Sequence, residues 1–221
     1  MTSKNISFLG LKKALMLGLL FISVPGLAKS KQVSKPAVSA TSQIVNLTFL
    51  PQSKVYLNGD SSVRKFSASS GGLDLRATAK EKPLAEGTLP WIPVEAEMFL
   101  VVKNLKSGNE TLDDHMFDNL KADVYPQIQL RLTDFSYSDV MIGNQMTASG
   151  TLTVAGVTKP IELMMNLTIE DQNLRITGNK ILHMSDFGIV PPTMMMGALK
   201  TRDEIEIVFD VFCLINGKKK D

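Results

Sequence analysis

Apolar and polar residues alternate along most of this chain. From Ile161 to Ile169 the run is nearly perfect: Ile161, Leu163, Met165, Leu167 and Ile169 fall on one side, Glu162, Met164, Asn166 and Thr168 on the other. A period of two predicts a strand with one buried and one solvated face. The preceding strand pattern ends in Ala155-Gly156-Val157, a tight glycine-centred turn, with Pro160 at the start of the second strand. Similar patterns occupy residues 45–50, 55–57, 63–69, 73–79, 94–102, 128–133, 146–154, 174–182 and 204–214. In residues 94–102 the alternating set is Val94, Ala96, Met98 and Leu100; in residues 204–214 it is Ile205, Ile207, Phe209 and Val211. Asn58-Gly59-Asp60 reads as a turn, and Ser70-Gly71-Gly72 as a hairpin connection.

One helix breaks the series, over residues 112–122. Thr111 is its expected cap, Asp113 and Asp114 suit its positive end, and Met116, Phe117 and Leu120 form its apolar stripe. Val124-Tyr125-Pro126 ends it, because a residue before proline avoids helical geometry. Nine or ten strand patterns with short connections and one helix predict an all-β antiparallel domain, either sandwich or closed barrel. A barrel of about eight strands removes the edge problem, and its interior either fills with side chains or holds one small ligand.

The N-terminus changes the charge balance. Lys4, Lys12 and Lys13 precede a short apolar run from Ala14 to Ile22, and Pro25-Gly26-Leu27-Ala28 offers small residues for cleavage after Ala28. This predicts a signal peptide over residues 1–28, too short in its apolar part for the ~20 residues of a membrane span. Residues 29–42 read as a flexible leader and residues 43–221 as the domain. Removing three lysines and no acid turns 24 basic and 22 acidic residues into 21 and 22. A mature chain near neutrality has no clustered basic face for nucleic acid. The expected location is periplasmic or secreted, as in Gram-negative export. Cys213 is the sole cysteine, so no intrachain disulfide forms; flanked by Phe212 and Leu214, it is expected to be a buried thiol.

Several motifs resemble the YceI-like family. They are Gly59-Asp60-Ser61-Ser62, Asp114-His115-Met116, Tyr125-Pro126-Gln127-Ile128, the stretch from Gly150 to Pro160, and Ser185-Asp186-Phe187-Gly188-Ile189. Their order and spacing cover roughly residues 53–214. The chain departs from the family pattern ahead of the first long strand, where only the Gly59 to Ser62 stretch is present. The resemblance implies a lipocalin-like β-barrel with one short helix and an apolar ligand, since the family includes polyisoprenoid-binding proteins of the bacterial periplasm.

If the barrel is hollow, Met98, Leu100, Ile128, Leu130, Leu132, Leu163, Met165, Leu167, Ile205, Ile207 and Phe209 line it; if it is solid, the same residues are its core. Met194, Met195 and Met196 stand in an irregular segment between strands, and flexible, polarisable thioethers suit a lipid chain as well as a barrel plug. The expected function is an exported, non-enzymatic protein that holds or carries an isoprenoid or other long-chain lipid, with no cofactor and no integral membrane span. The alternative is a solid-core structural or protein-interaction barrel, connected with stress. Its oligomeric state is open, a homodimer being one option. A metal-dependent enzyme would need His115 and His183 to converge with carboxylates. No Gly-x-Ser-x-Gly elbow and no phosphate-binding glycine loop is present.

Overall fold

The computed structural model describes residues 44–81, 91–137, 145–170, 173–194 and 199–214. The predicted signal peptide, the leader, Met195 and Met196 lie outside the described residues. Twelve strands are described: β1 Ile44–Leu47, β2 Lys54–Ser61, β3 Lys65–Ser70, β4 Asp74–Glu81, β5 Trp91–Val101, β6 Leu105–Lys106, β7 Gln127–Tyr137, β8 Gln145–Val154, β9 Val157–Glu170, β10 Asn173–His183, β11 Thr193–Met194 and β12 Leu199–Leu214. One helix, α1, spans Glu110–Asn119. The antiparallel all-β class is as expected, but the strands outnumber the eight predicted, because β1, β6 and β11 are short pieces that patch the main circuit.

That circuit runs β4-β5-β7-β8-β9-β10-β12-β2-β3. The predicted hairpin at Ser70-Gly71-Gly72 is not one. β3 pairs with β2 and β6, and β4 with β1 and β5, so the glycines carry the chain round a corner between strands that share no ladder. Gly72 takes φ +71 there, a conformation that favours glycine. Two short segments close the curl instead. β6, just beyond β5, pairs with the end of β3. The first strand lies along β4, after which Phe49 bridges Cys213 and Leu214 N–H donates to Thr48 O at 2.9 Å. Closure satisfies edges that an open sheet would leave exposed.

The Ala155-Gly156 turn forms as predicted, with φ of +49 and +80, the paired positive values of a two-residue hairpin whose twist matches its strands. A Cβ on Gly156 would strike the Tyr125 ring. The Tyr-Pro and glycine-turn motifs are therefore one packing unit.

Four local expectations are corrected. Asn58-Gly59-Asp60 is strand, not turn: Gly59 pairs with Phe66, whose ring occupies the space of a side chain at 59. The turn lies after it, where Ser61 Oγ donates to Arg64 O at 2.8 Å and accepts from Arg64 N–H at 3.1 Å. The helix starts earlier than predicted, and Asn109, not Thr111, caps it by accepting from Leu112 N–H at 3.0 Å. Its last turn stops at Leu120 because Lys121 takes φ +53. In β5, Thr78 pairs with Glu95 but Ala79 with Pro93, so Val94 is the extra residue of a bulge. Val94 therefore leaves the inward set, which Pro93 and Trp91 join instead. Lastly, Ile169 keeps the alternation but is exposed, although Leu174 opposite it on β10 is buried.

The inward faces form two apolar clusters. One gathers Leu100, Val102, Leu105, Leu120, Ala122, Ile128, Leu152, Val154, Phe187 and Ile189 beneath α1, with Met116 and Phe117 packed against it. The other gathers Trp91, Leu132, Met146, Leu163, Met165, Leu167, Leu174 and Cys213 at the opposite end, with Leu47 and Phe49 against it. Both ends of the curl are thus packed. The outer wall is polar, with Arg131 facing Glu95 at 2.5 Å and Arg175 holding Asp210 in two bonds of 2.8 and 2.9 Å.

Candidate functional site

Between the two clusters the interior does not fill. A cavity of about 220 Å³ remains. Every described residue that lines it is apolar except Glu97, Lys180 and His183. A space of this size and lining offers water few polar partners and suits an apolar group.

The alternation places the lining residues. Met98 and Leu100 from β5 register against Leu130 and Ile128 of β7, and Leu130 against Leu152 of β8. Met146 and Ala148 of β8 face Met165 and Leu163. On the far wall Ile205, Ile207 and Phe209 stand beside Gly59, Leu57 and Val55. Of the residues expected from sequence, Met98, Leu100, Ile128, Leu130, Leu132, Leu163, Met165, Leu167, Ile205, Ile207 and Phe209 all border the cavity. Met194, in β11, pairs with Leu199 of β12, so its segment is partly strand rather than irregular.

Sequence reasoning missed the contributions of β2, β4 and β10: Leu57, Leu75, Ile176 and Leu182 also line the space. Leu174, Ile176 and Leu182 share one face of β10, but Gly178 and Lys180 interrupt the apolar series there. Trp91, ahead of the predicted strand, was missed too, and is buried on the lining. Phe209 lies across Gly178, where a Cβ would meet the ring and lie 2.6 Å from Met164 O.

The polar motif residues hold the rim. Ser185 donates from N–H and Oγ to Asp203 at 2.8 and 2.5 Å. These bonds, the hydroxyl's first, hold the Asp203 carboxyl below its ordinary range. The pinned 3-10 turn, Met184–Phe187, then turns through Gly188 at φ +66 and buries Phe187 and Ile189 in the cluster beneath α1. Asp113, buried in α1, accepts from Ser107 N–H at 2.8 Å and Ser107 Oγ at 2.7 Å. Burial works against its charge, but the Ser107 bonds and Lys106 outweigh it and lower its pKa.

The histidines do not converge on a metal site. His115 is exposed on α1, and its carbonyl accepts from Asn119 Nδ2 at 2.6 Å. His183 lies 3.8 Å from Asp186 and close enough to Asp203 to act on its charge. Among the described residues, no three His, Cys, Asp or Glu are grouped to hold a metal ion. The described lining contains no hydroxyl and no thiol. Cys213 is fully buried, and burial pushes its thiol up to about 12, which leaves it unreactive. No described helix is long and apolar enough to cross a membrane.

A model of the YceI-like domain matches residues 43–212. No curated protein matches the chain. Among solved structures the fold is similar to that of BcnA from Burkholderia cenocepacia, at 17% identity over 72% of this chain and 95% of that one, with a TM-score of 0.59. It is also similar to a polyisoprenoid binding domain from Saccharophagus degradans implicated in plant cell wall breakdown (11% identity, 78% and 99% covered, TM-score 0.55). A third is the Campylobacter jejuni YCEI protein (20% identity, 66% and 82% covered, TM-score 0.50). At such identities the likeness is one of fold.

Proposed function

This chain belongs to the YceI-like family, and from that premise we propose that it is an exported carrier. It holds one long apolar chain, an isoprenoid or comparable lipid, inside its barrel and performs no chemistry on it. The observation that carries this reading is the cavity of about 220 Å³ with its almost wholly apolar lining. A chain entering such a space gains about 0.8 kcal/mol per buried methylene, and the cost of ordering it offsets part of that gain. Affinity then needs no catalytic group. The polyisoprenoid-binding description of the Saccharophagus domain supports the ligand class. Export follows from the proposed signal in residues 1–28, and the contact residues are the eleven cavity-lining positions named above, joined by Met194, Met195 and Met196.

Native mass spectrometry of the full chain from a bacterial host, followed by organic extraction, tests the reading. The expected result is a stoichiometric adduct that extraction removes and an added isoprenoid alcohol restores. Adduct-free preparations that also fail to bind added isoprenoid would overturn it and favour the solid-core interaction barrel.

A further inference from the structure

The inward face of β10 carries one charge. Residues 174, 176, 178, 180 and 182 alternate into the barrel, and Lys180 stands among them, opposite Ile207 of β12, which in turn pairs with Leu57 of β2. All three border the cavity. Lys180 is half-buried. Among the described residues it has neither an ion pair nor a hydrogen-bond partner, and of the described lysines and arginines it is the one that borders the cavity. Glu97, the acidic lining residue, lies within 3.7 Å of Arg131. His183 lies beside Asp186.

An ammonium group that borders an apolar cavity without a counter-charge is costly unless its stem covers the apolar wall while its head reaches water or an anion. The wall around Lys180 provides that boundary. The β9–β10 ladder runs from Glu170 and Asn173 to Asn166 and Thr177 and then stops. Beyond it, residues 178–183 pair with β12 alone. On the other side, Pro160 stands opposite Thr151 in a non-hydrogen-bonded position of the hairpin closed by Val154 and Val157. Its nitrogen therefore faces away from β8, toward β10, where no donor is required. The strands part beside Lys180, with Met164 and Ile181 exposed on the outer surface at 74% and 52%.

We propose that Lys180 is the head-group site of this barrel, and that the ligand is an anionic amphiphile: one long apolar chain in the cavity ending in a carboxylate or phosphate held by the Lys180 ammonium. The assignment rests on the lipid-holding reading above and narrows it, since an anionic head group would supply the counter-charge that the described residues do not give the amine.

The test measures binding of two matched pairs to the lipid-stripped full chain: palmitate against hexadecanol, and geranylgeranyl phosphate against geranylgeraniol. The wild type should bind at least one anion about tenfold or more tighter than its alcohol, as a charge-assisted hydrogen bond provides. The favoured pair identifies the head group, and the preference should shrink with added salt. Lys180→Met, which keeps the length of the stem, should bring the anion-to-alcohol ratio to about one while leaving alcohol affinity within about twofold; Lys180→Arg should keep the preference. Equal weakening of anion and alcohol in Lys180→Met, or no anion preference in the wild type, would overturn the site while leaving lipid holding intact. A wild type that binds none of the four would overturn both.

Discussion

Leu130→Trp separates a hollow barrel from a solid one. Leu130 is half-buried in the first half of β7, paired with Met98 and Leu152, and packs against both apolar clusters. It borders the cavity of about 220 Å³. In a filled core the larger ring would force off-rotamer neighbours and backbone shifts, at about 1–3 kcal/mol. For a domain of this size each kcal/mol moves Tm by roughly 2–4 °C. With the cavity present, the indole occupies existing space, and stability should change by less than about 0.5 kcal/mol or rise slightly, since added dispersion contacts replace a void. Binding should suffer instead. If the ring displaces about five chain carbons, the loss is about 4 kcal/mol, or some three orders of magnitude in affinity. Urea denaturation gives the first quantity and lipid titration the second. A loss of more than about 1 kcal/mol in stability with lipid affinity unchanged would refute the reasoning.

Gly150→Ala should cost about 1–3 kcal/mol by urea denaturation, because its Cβ would meet backbone atoms of Arg131 and Leu132, which cannot rotate away. Gly71→Ala, with nothing within 4 Å, should stay within about 0.5 kcal/mol. Asp113→Ala should cost about 1–3 kcal/mol by leaving the Ser107 donors unmet. The folded pKa of Asp113 is depressed below 3.8, so its stabilisation is present above that pH and is lost as pH falls through the lowered value. Asp113→Asn should flatten this part of an acid unfolding curve, and an unchanged acid limb would contradict the assignment. Cys213, with its thiol pushed up to about 12, should ignore a thiol reagent at pH 8 and react at once in urea; a fast native reaction would show the thiol to be accessible.

Much of this barrel is readable from alternation alone, and what is not has physical causes. Where a strand keeps period two without interruption, as in residues 161–167 or 205–211, the inward set is legible and its residues border the cavity. Bulges defeat this reading. Val94 is apolar and in phase, yet the extra residue in β5 removes it from the inward face and substitutes Pro93 and Trp91. Non-local contacts defeat it again at Gly59, which resembles a turn glycine because nothing nearby in sequence discloses that Phe66 needs its space. The absent β3–β4 ladder is of the same kind. Ser70-Gly71-Gly72 has hairpin chemistry, but closure runs through β6 and the segment reaching Cys213. Hollowness itself is invisible in sequence, since core and lining call for the same residue types.

The rule-breaking residues are not scattered. Pro160, Gly178 and Lys180 each violate what a fully paired, apolar-faced strand requires, and all three belong to the stretch where β9 and β10 part. Proline removes a donor that a β10 ladder would have used. Glycine admits the Phe209 ring and the Met164 carbonyl at the point of divergence, where any Cβ would push them away. Lysine then replaces the next inward apolar residue. A wall meant only to be sealed would use a β-branched residue at each position and continue the ladder to the end of both strands. Local choices in a foldable sequence agree with the fold except where function sets the choice. Three such exceptions in one place mark the parted wall as an encoded feature of the barrel, and the inward lysine is one of them.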